Sequence, residues 1–247
     1  MTSPSPKIST FHSANAPVIE LQNVHYQIPS DQTLLDIIKA CNLSVQSEET
    51  VAIVGRSGSG KSTLLALMAG LEKPTNGQIR LLGQSLETCS EDERAQIRAQ
   101  QVGFIFQNFQ LMPSMTALEN ILMPLELFDL PDAKQKAKQA LEQVGLSHRA
   151  NHRPAELSGG EQQRVAIARA FVTEPKVLFA DEPTGNLDEE TALQIQGLLF
   201  DLNRNLNTTL ILVTHDSQFA NRCDRVLHLT QGHLSESASS GTEIDHA

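Results

Sequence analysis

The sequence predicts an α/β fold with a parallel sheet at its centre. Three observations carry that prediction: apolar strands alternate with helix-patterned segments in the C-terminal half, a glycine-rich loop sits between a strand and a helix, and the opening third is rich in β-type residues. With 247 residues, 40% of them hydrophobic, the chain can bury a core sized for one such domain with a smaller lobe.

Taken in order, residues 1–17 are rich in Ser, Thr and Pro and lack the basic start and apolar centre of a secretory signal, so a disordered lead-in is expected. Strands are expected at 18–28, 43–45, 50–54 and 78–82, the last closed by a turn at Gly83. Residues 108–155 read as a mostly helical insert. Within it Asp132 is a helix-cap candidate, Ala137, Leu141 and Val144 share a face at helical spacing, and Gly145 stands where the helix ends. Strands at 177–180 and 210–214 flank a helix whose stripe is Ala192, Ile195, Leu199 and Leu202. Residues 235–247 are polar and aperiodic, and a mobile tail is expected there.

The formal net charge of −10 argues against a surface built to neutralise nucleic-acid phosphates or to seek anionic lipid. No apolar run approaches the roughly 20 residues of a spanning helix, so a partner must supply any membrane span. Cys41, Cys89 and Cys223 form no CxxC pair, which points to neither a zinc site nor a disulfide framework and leaves the reducing cytosol as the default compartment.

Residues 55–62, Gly-Arg-Ser-Gly-Ser-Gly-Lys-Ser, match G-x-x-x-x-G-K-[ST] between the strand at 51–54 and a helix-forming run that starts at Thr63. A bare glycine-rich turn is the competing reading, and the strand and helix on either side weigh against it. The glycines let backbone N–H groups turn toward a β-phosphate, the helix offers its positive end, and Lys61 adds a point charge for the β- and γ-phosphates. Gly55, Arg56, Ser57, Gly58, Ser59, Gly60, Lys61, Ser62 and Thr63 are therefore the expected ATP-binding set, with the Ser62 hydroxyl on Mg2+.

The strand at 177–180 runs into Asp181 and Glu182, delivering two acids to the sheet edge where ligands bind in α/β folds. Asp181 is expected in the Mg2+ shell and Glu182 as the group that orients or deprotonates the attacking water. Capping of the next helix is the bland alternative. His215 follows the strand at 210–214 and can reach the same edge to contact the γ-phosphate.

Residues 157–164, Leu-Ser-Gly-Gly-Glu-Gln-Gln-Arg, resemble the signature of the ABC ATPase family, commonly written LSGGQ. The resemblance extends over residues 18–234. It implies a P-loop NTPase, RecA-like parallel-sheet core with an antiparallel β subdomain and an inserted α-helical subdomain at about 108–155. It also implies that Ser158, Gly159, Gly160 and Glu161 bind the γ-phosphate held by a second copy, which demands a homodimer. Gln107 is similar to the lobe-joining glutamine that senses Mg2+ and water, residues 185–188 to the loop whose Asp188 crosses the dimer seam, and His215 to the switch histidine.

Two positions depart from the family pattern. Glu161 stands where Gln is usual and lacks the amide donor. Ile28 occupies the place of the adenine-stacking aromatic, with Tyr26 two residues earlier on the same strand face, which leaves two readings: Tyr26 takes over the stacking, or adenine rests on aliphatic surface.

Residues 102–113, 115–120 and 181–188 resemble the LolD, MacB and FtsE branch, and YbbA-type subunits within it. That implies the ATP-hydrolysing subunit of a bacterial ABC transporter or mechanotransmission complex, peripheral on the inner face of the cell membrane and held there by a permease. The apolar cluster Phe109, Leu111, Met112 and Met115 is the expected partner contact. ABC ATPases that act on DNA or ribosomes need a second cassette, a coiled-coil insertion or basic surfaces, none of which the sequence shows. An inactive module would need a damaged Lys61, Asp181, Glu182 or His215, and all four are intact.

Overall fold

The computed structural model describes residues 16–30 and 33–236. β1 (Ile19–Ser30), β2 (Thr33–Val45) and β3 (Thr50–Val54) lead into α1 (Lys61–Met68). β4 (Asn76–Leu81), β5 (Gln84–Ser85), α2 (Glu91–Gln101) and β6 (Val102–Ile105) follow. α3 (Ala117–Leu127), α4 (Ala133–Gln143) and two 3-10 turns (Ser147–Arg149 and Pro154–Glu156) precede α5 (Gly159–Phe171). The remaining elements are β7 (Val177–Asp181), α6 (Glu189–Leu206), β8 (Thr209–Val213), α7 (Ser217–Ala220), β9 (Arg225–Thr230) and β10 (His233–Glu236).

One sheet has the order β10-β9-β3-β8-β7-β6. Its strands from β9 to β6 pair in parallel and β10 is an antiparallel edge. The apolar residues of β3, β7 and β8 are fully buried except for half-buried Val54 at the end of β3, as a sheet covered on both faces requires. Alternation along each strand splits them between two cores. Val51, Ile53, Val177, Phe179, Ile211 and Val213 pack with Leu64 of α1 and Ile19 of β1. Ala52, Leu178, Ala180, Leu210 and Leu212 pack with Val165 of α5 and Ile195 and Leu199 of α6.

Register then gathers the chemistry at one edge. Ile53 lies opposite Val213, Asp181 opposite Val213, and Ile105 opposite Ala180. The loops leaving β3, β6, β7 and β8 therefore emerge together at the carboxyl ends of the strands, where parallel sheets bind ligands.

The second sheet, β2-β1-β4-β5, is antiparallel throughout. β2 starts at Thr33, well before the strand expected at 43–45. Its pairing with β1 steps from Tyr26 opposite Ile38 to Gln27 opposite Asp36, which leaves Ile37 unopposed and free to project elsewhere.

Other differences have physical causes. α2 was not expected; it is held by a capping box in which Ser90 Oγ accepts from Glu93 N and Glu93 Oε2 accepts from Ser90 N. Asp132 begins α4 but makes no side-chain cap, because its own φ of 58° turns it into the left-handed region. The tail expected from 235 does not begin there: Ser235 and Glu236 belong to β10, and Arg225 holds Glu236 through two hydrogen bonds of 2.7 and 2.9 Å. The rest of that tail, and the lead-in up to 15, lie outside the described residues.

The loop around Pro113 is not loose. Fully buried Asn120 accepts from Met112 N at 2.7 Å and donates to the carbonyls of Met112, Met115 and Thr116. Of the expected apolar patch, Leu111 packs on the core, Phe109 and Met115 are half-buried, and Met112 is exposed.

Candidate functional site

The loop from Gly55 to Gly60 connects β3 to α1 and bends through left-handed conformations at Gly58 (φ 74°) and Gly60 (φ 98°). Space adds to the demand for glycine: a Cβ at Gly55 would lie 2.5 Å from the Leu229 carbonyl oxygen. Gly60 precedes α1, whose N-terminus carries no side-chain cap and no acidic residue in its first turn. Those amides remain available to an anion. Lys61 Nζ donates to the carbonyls of Gly55 at 3.0 Å and Arg56 at 3.1 Å, so the ammonium is folded back against the loop it would share with a phosphate.

A cleft of about 450 Å³ opens at this loop, lined by Ile37, Gly55, Ser57, Gly58, Gly60, Lys61, Ser62, Thr63, Gln107, Asp181, Glu182 and His215. Of the residues expected from sequence, Arg56 contributes its carbonyl to Lys61, and Ser59 is turned inward with a buried Oγ that has no partner. Ile37, the residue left unopposed by the β1–β2 irregularity, was not anticipated at the site, since its apolar pattern reads as core. Tyr26 lies off the cleft, packing on the β-subdomain core and donating its hydroxyl to Glu72 at 3.4 Å.

Two acids stand at the end of β7. Asp181 Oδ1 is buried without a hydrogen-bond partner, an arrangement costly for a carboxylate unless a cation shares it. With the Ser62 hydroxyl on the same cleft, the donor set is all oxygen and suits Mg2+. Glu182 adopts φ 47°, a strained turn for a side-chain-bearing residue, while its amide still donates to Val213 O at 2.9 Å. The turn presents its carboxylate to His215, whose Nδ1 donates to Glu182 Oε2 at 2.8 Å. Gln107, exposed at the far wall, donates to Asn186 Oδ1 at 3.4 Å, and Asn186 Nδ2 returns a bond to the Gln107 carbonyl at 3.0 Å.

A second group forms around the start of α5. Ser158 caps the helix by accepting from Glu161 N at 3.3 Å, and Glu161 Oε2 accepts from Ser158 N at 2.8 Å. The Ser158 backbone amide first, then the Ser158 hydroxyl and the Arg149 guanidinium, hold the Glu161 carboxyl below its ordinary value. A Cβ at Gly160 would lie 2.5 Å from Thr191 Cγ2, so glycine lets α5 approach α6. Asp188 caps α6 through Thr191 N at 2.9 Å, and that bond lowers its pKa. Ser158, Gly159, Gly160, Glu161 and Asp188 thus lie together, and none of them lines the cleft at Lys61.

Among the described residues, no cluster of three or more His, Cys, Asp or Glu groups could hold a metal by itself. The three cysteines are free, and burial pushes the Cys223 thiol up to about 12, far from reactive thiolate.

Comparison with known proteins shows the family and the fold. The family profile described as ABC transporter matches residues 38–185. The chain is 51% identical over 223 residues to the uncharacterized ABC transporter ATP-binding protein YbbA of Escherichia coli (strain K12), covering 90% of this chain and 98% of that relative. It is 48% identical over 219 residues to the lipoprotein-releasing system ATP-binding protein LolD of Legionella pneumophila (strain Paris), covering 88% and 96%. The ATP-binding cassette MJ0796, solved as a dimer in a post-hydrolysis state bound to ADP and Pi, superposes with a TM-score of 0.83 at 37% identity, over 90% of this chain and 99% of that one. A P-loop, an acidic strand end, a histidine just beyond the neighbouring strand and a separate helix opening on Ser-Gly-Gly, found in one chain at these levels of identity, place it: the chain belongs to the ABC transporter family, among the ATP-binding cassettes.

Proposed function

We propose that the chain is an ATPase subunit that binds ATP and Mg2+ at the P-loop cleft, closes on a second copy of itself, and passes the resulting motion to a membrane permease. The single observation that carries this reading is the convergence of Lys61, partnerless Asp181 Oδ1 and the Glu182–His215 pair on one cleft at the carboxyl edge of the sheet.

The glycine-loop amides and Lys61 take the β- and γ-phosphates. Ser62, Asp181 and Gln107 are the groups that would hold Mg2+, which when bound neutralises phosphate charge. His215 holds Glu182 through Oε2, leaving the other carboxylate oxygen to accept a proton from a water in line with the γ-phosphate. Ser158, Gly159 and Gly160 at the open end of α5 form the half-site that meets the phosphates of the second copy, with Asp188 beside them. Their absence from the chain's own cleft is what a site built from two chains requires.

A groove of about 260 Å³ between α2, β6, α3 and α5, lined by Phe104, Phe106, Met123, Pro124 and Phe128 with Arg98 and Arg169 beside them, fits a short amphipathic helix of the permease. No described helix is long and apolar enough to cross a membrane, so attachment to the inner face would come through that contact. The likeness to LolD and YbbA supports a bacterial transporter or a machine that transmits force across the membrane.

The test is calorimetric titration of the purified chain with Mg-ATP beside Lys61→Ala. Loss of the Lys61 charge removes charge-assisted hydrogen bonds each worth about 1.5–3 kcal/mol, so affinity should fall by on the order of 10². Undiminished affinity in the variant would refute the cleft as the nucleotide site.

A further inference from the structure

Glu161 stands at the third position of α5, where a carboxylate competes for the helix N-terminus with any anion arriving there. Both of its oxygens are taken. Oε2 accepts from Ser158 N, and Oε1 accepts from Arg149 Nε, each at 2.8 Å. Arg149 closes the 3-10 turn Ser147–Arg149, and its Nη1 donates to His152 Nε2 at 3.3 Å, which fixes the guanidinium from a second side. The pair is partly sheltered, with side-chain exposures of 35% for Arg149 and 17% for Glu161, so solvent screens it less than a surface ion pair.

A glutamine here would be neutral, whereas this chain places a negative charge beside the amides that must receive a phosphate. We infer that Arg149 is a positioning residue for the signature: its guanidinium neutralises Glu161 and pins the carboxylate against the Ser158 amide, so that the N-terminus of α5 accepts an ATP phosphate held by a second copy of the chain. The inference rests on the two-chain site proposed above. It makes the need for Arg149 conditional on Glu161, because an amide at that position requires no counter-charge. A general role for Arg149 in holding the helical lobe together would carry no such condition.

The experiment follows Mg-ATP-driven dimerisation of the Glu182→Gln protein by size exclusion with light scattering, reading the ATP concentration at half-maximal dimer. Arg149 and Arg149→Ala are each compared in the Glu161 and the Glu161→Gln backgrounds. Arg149→Ala should raise that concentration about five- to tenfold with Glu161, the effect of one partly sheltered charge, and less than about twofold with Glu161→Gln. Arg149→Lys, which keeps the charge and loses the planar fork, should recover part of the loss. Equal loss in both backgrounds, or no loss with Glu161, overturns the inference. Where Arg149→Ala does not fold, Arg149→Gln is judged by the same criterion. Failure of the Glu182→Gln parent itself to dimerise with ATP would instead overturn the two-chain site, and this inference with it.

Discussion

Glu182 and His215 are joined by a 2.8 Å hydrogen bond between Nδ1 and Oε2, linking the last turn of one parallel strand to the first residues beyond its neighbour. The histidine is 71% exposed and the carboxylate 16%, so the pair is an exposed donor steadying a sheltered carboxylate. Glu182→Gln keeps the shape of the side chain but cannot take a proton. Turnover should fall by on the order of 10² to 10⁴. With hydrolysis blocked, the protein should accumulate as a dimer in Mg-ATP. A size-exclusion profile that stays monomeric while hydrolysis runs at the parent rate would contradict the assignment.

The contact between α5 and α6 gives a separable test of the signature region. Gly160→Ala places a Cβ 2.5 Å from Thr191 Cγ2, well inside van der Waals contact, and overpacking of this kind costs about 1–3 kcal/mol. Urea denaturation should show that loss. Thr191→Ser removes the obstructing methyl but keeps the amide that Asp188 caps, and should restore most of the stability in the double variant. Absence of coupling between the two substitutions would mean that the helices are not apposed there.

Much of this site could be read from sequence because its parts are local. A P-loop is a run of glycines and a lysine at fixed spacing, and an acid after four apolar residues marks the end of a buried strand. What escaped was non-local or chemically ambiguous. Ile37 joins the cleft through an irregular β1–β2 register that no periodicity encodes. The Arg149–Glu161 pair depends on how a 3-10 turn meets a helix. The polar helix α2 lacks a clear apolar stripe, yet its Ser90-x-x-Glu93 box was a usable signal, as was Thr116-x-x-Glu119 for α3, where Pro124 obscures the helical pattern. Asp132 misled because the residue type suits a cap while its backbone conformation does not.

The same boxes set a pH dependence. The Thr116 backbone amide, then its hydroxyl, hold the Glu119 carboxyl below its ordinary value of 4.5. A carboxylate whose folded-state pKa is depressed adds stability above the unfolded value, and that stability is lost as pH falls through the folded value. Glu119→Gln should therefore lower the melting temperature at neutral pH. The gap to the parent should close once the solution is acid enough to protonate Glu119 in the folded state. Thermal unfolding measured from neutral pH down through the carboxylate range checks this, and a gap that stays constant with pH would show that the charge is not what stabilises the cap.

The permease contact proposed above yields the last prediction, which sets the groove against the loop. Asn120 ties Met112, Met115 and Thr116 to α3, so the loop is a fixed wall, and Met112 is the one exposed member of the apolar group first expected to bind a partner. Phe104, Phe106, Met123 and Phe128 instead line a concave surface between the sheet and the helical lobe. Arg169, running beneath it, donates to the carbonyls of Phe109 at 2.9 Å and Gln110 at 2.7 Å. Those two residues have φ of 57° and 49° and are separated by Asn108 alone from Gln107, which lines the P-loop cleft. The groove is thus connected to the cleft by a short segment that a guanidinium holds in a strained conformation, the route by which, under the function proposed above, nucleotide state would reach a helix in the groove. A carboxylate at Met123 would be buried against the apolar face of that helix, a cost of several kcal/mol or more for an unpaired charge. The ratio of ATPase rates with the permease reconstituted to those of the subunit alone should fall toward one in Met123→Glu, while Met112→Glu should change it much less. If the ratio drops for Met112→Glu and holds for Met123→Glu, the contact lies on the loop and the groove has another occupant.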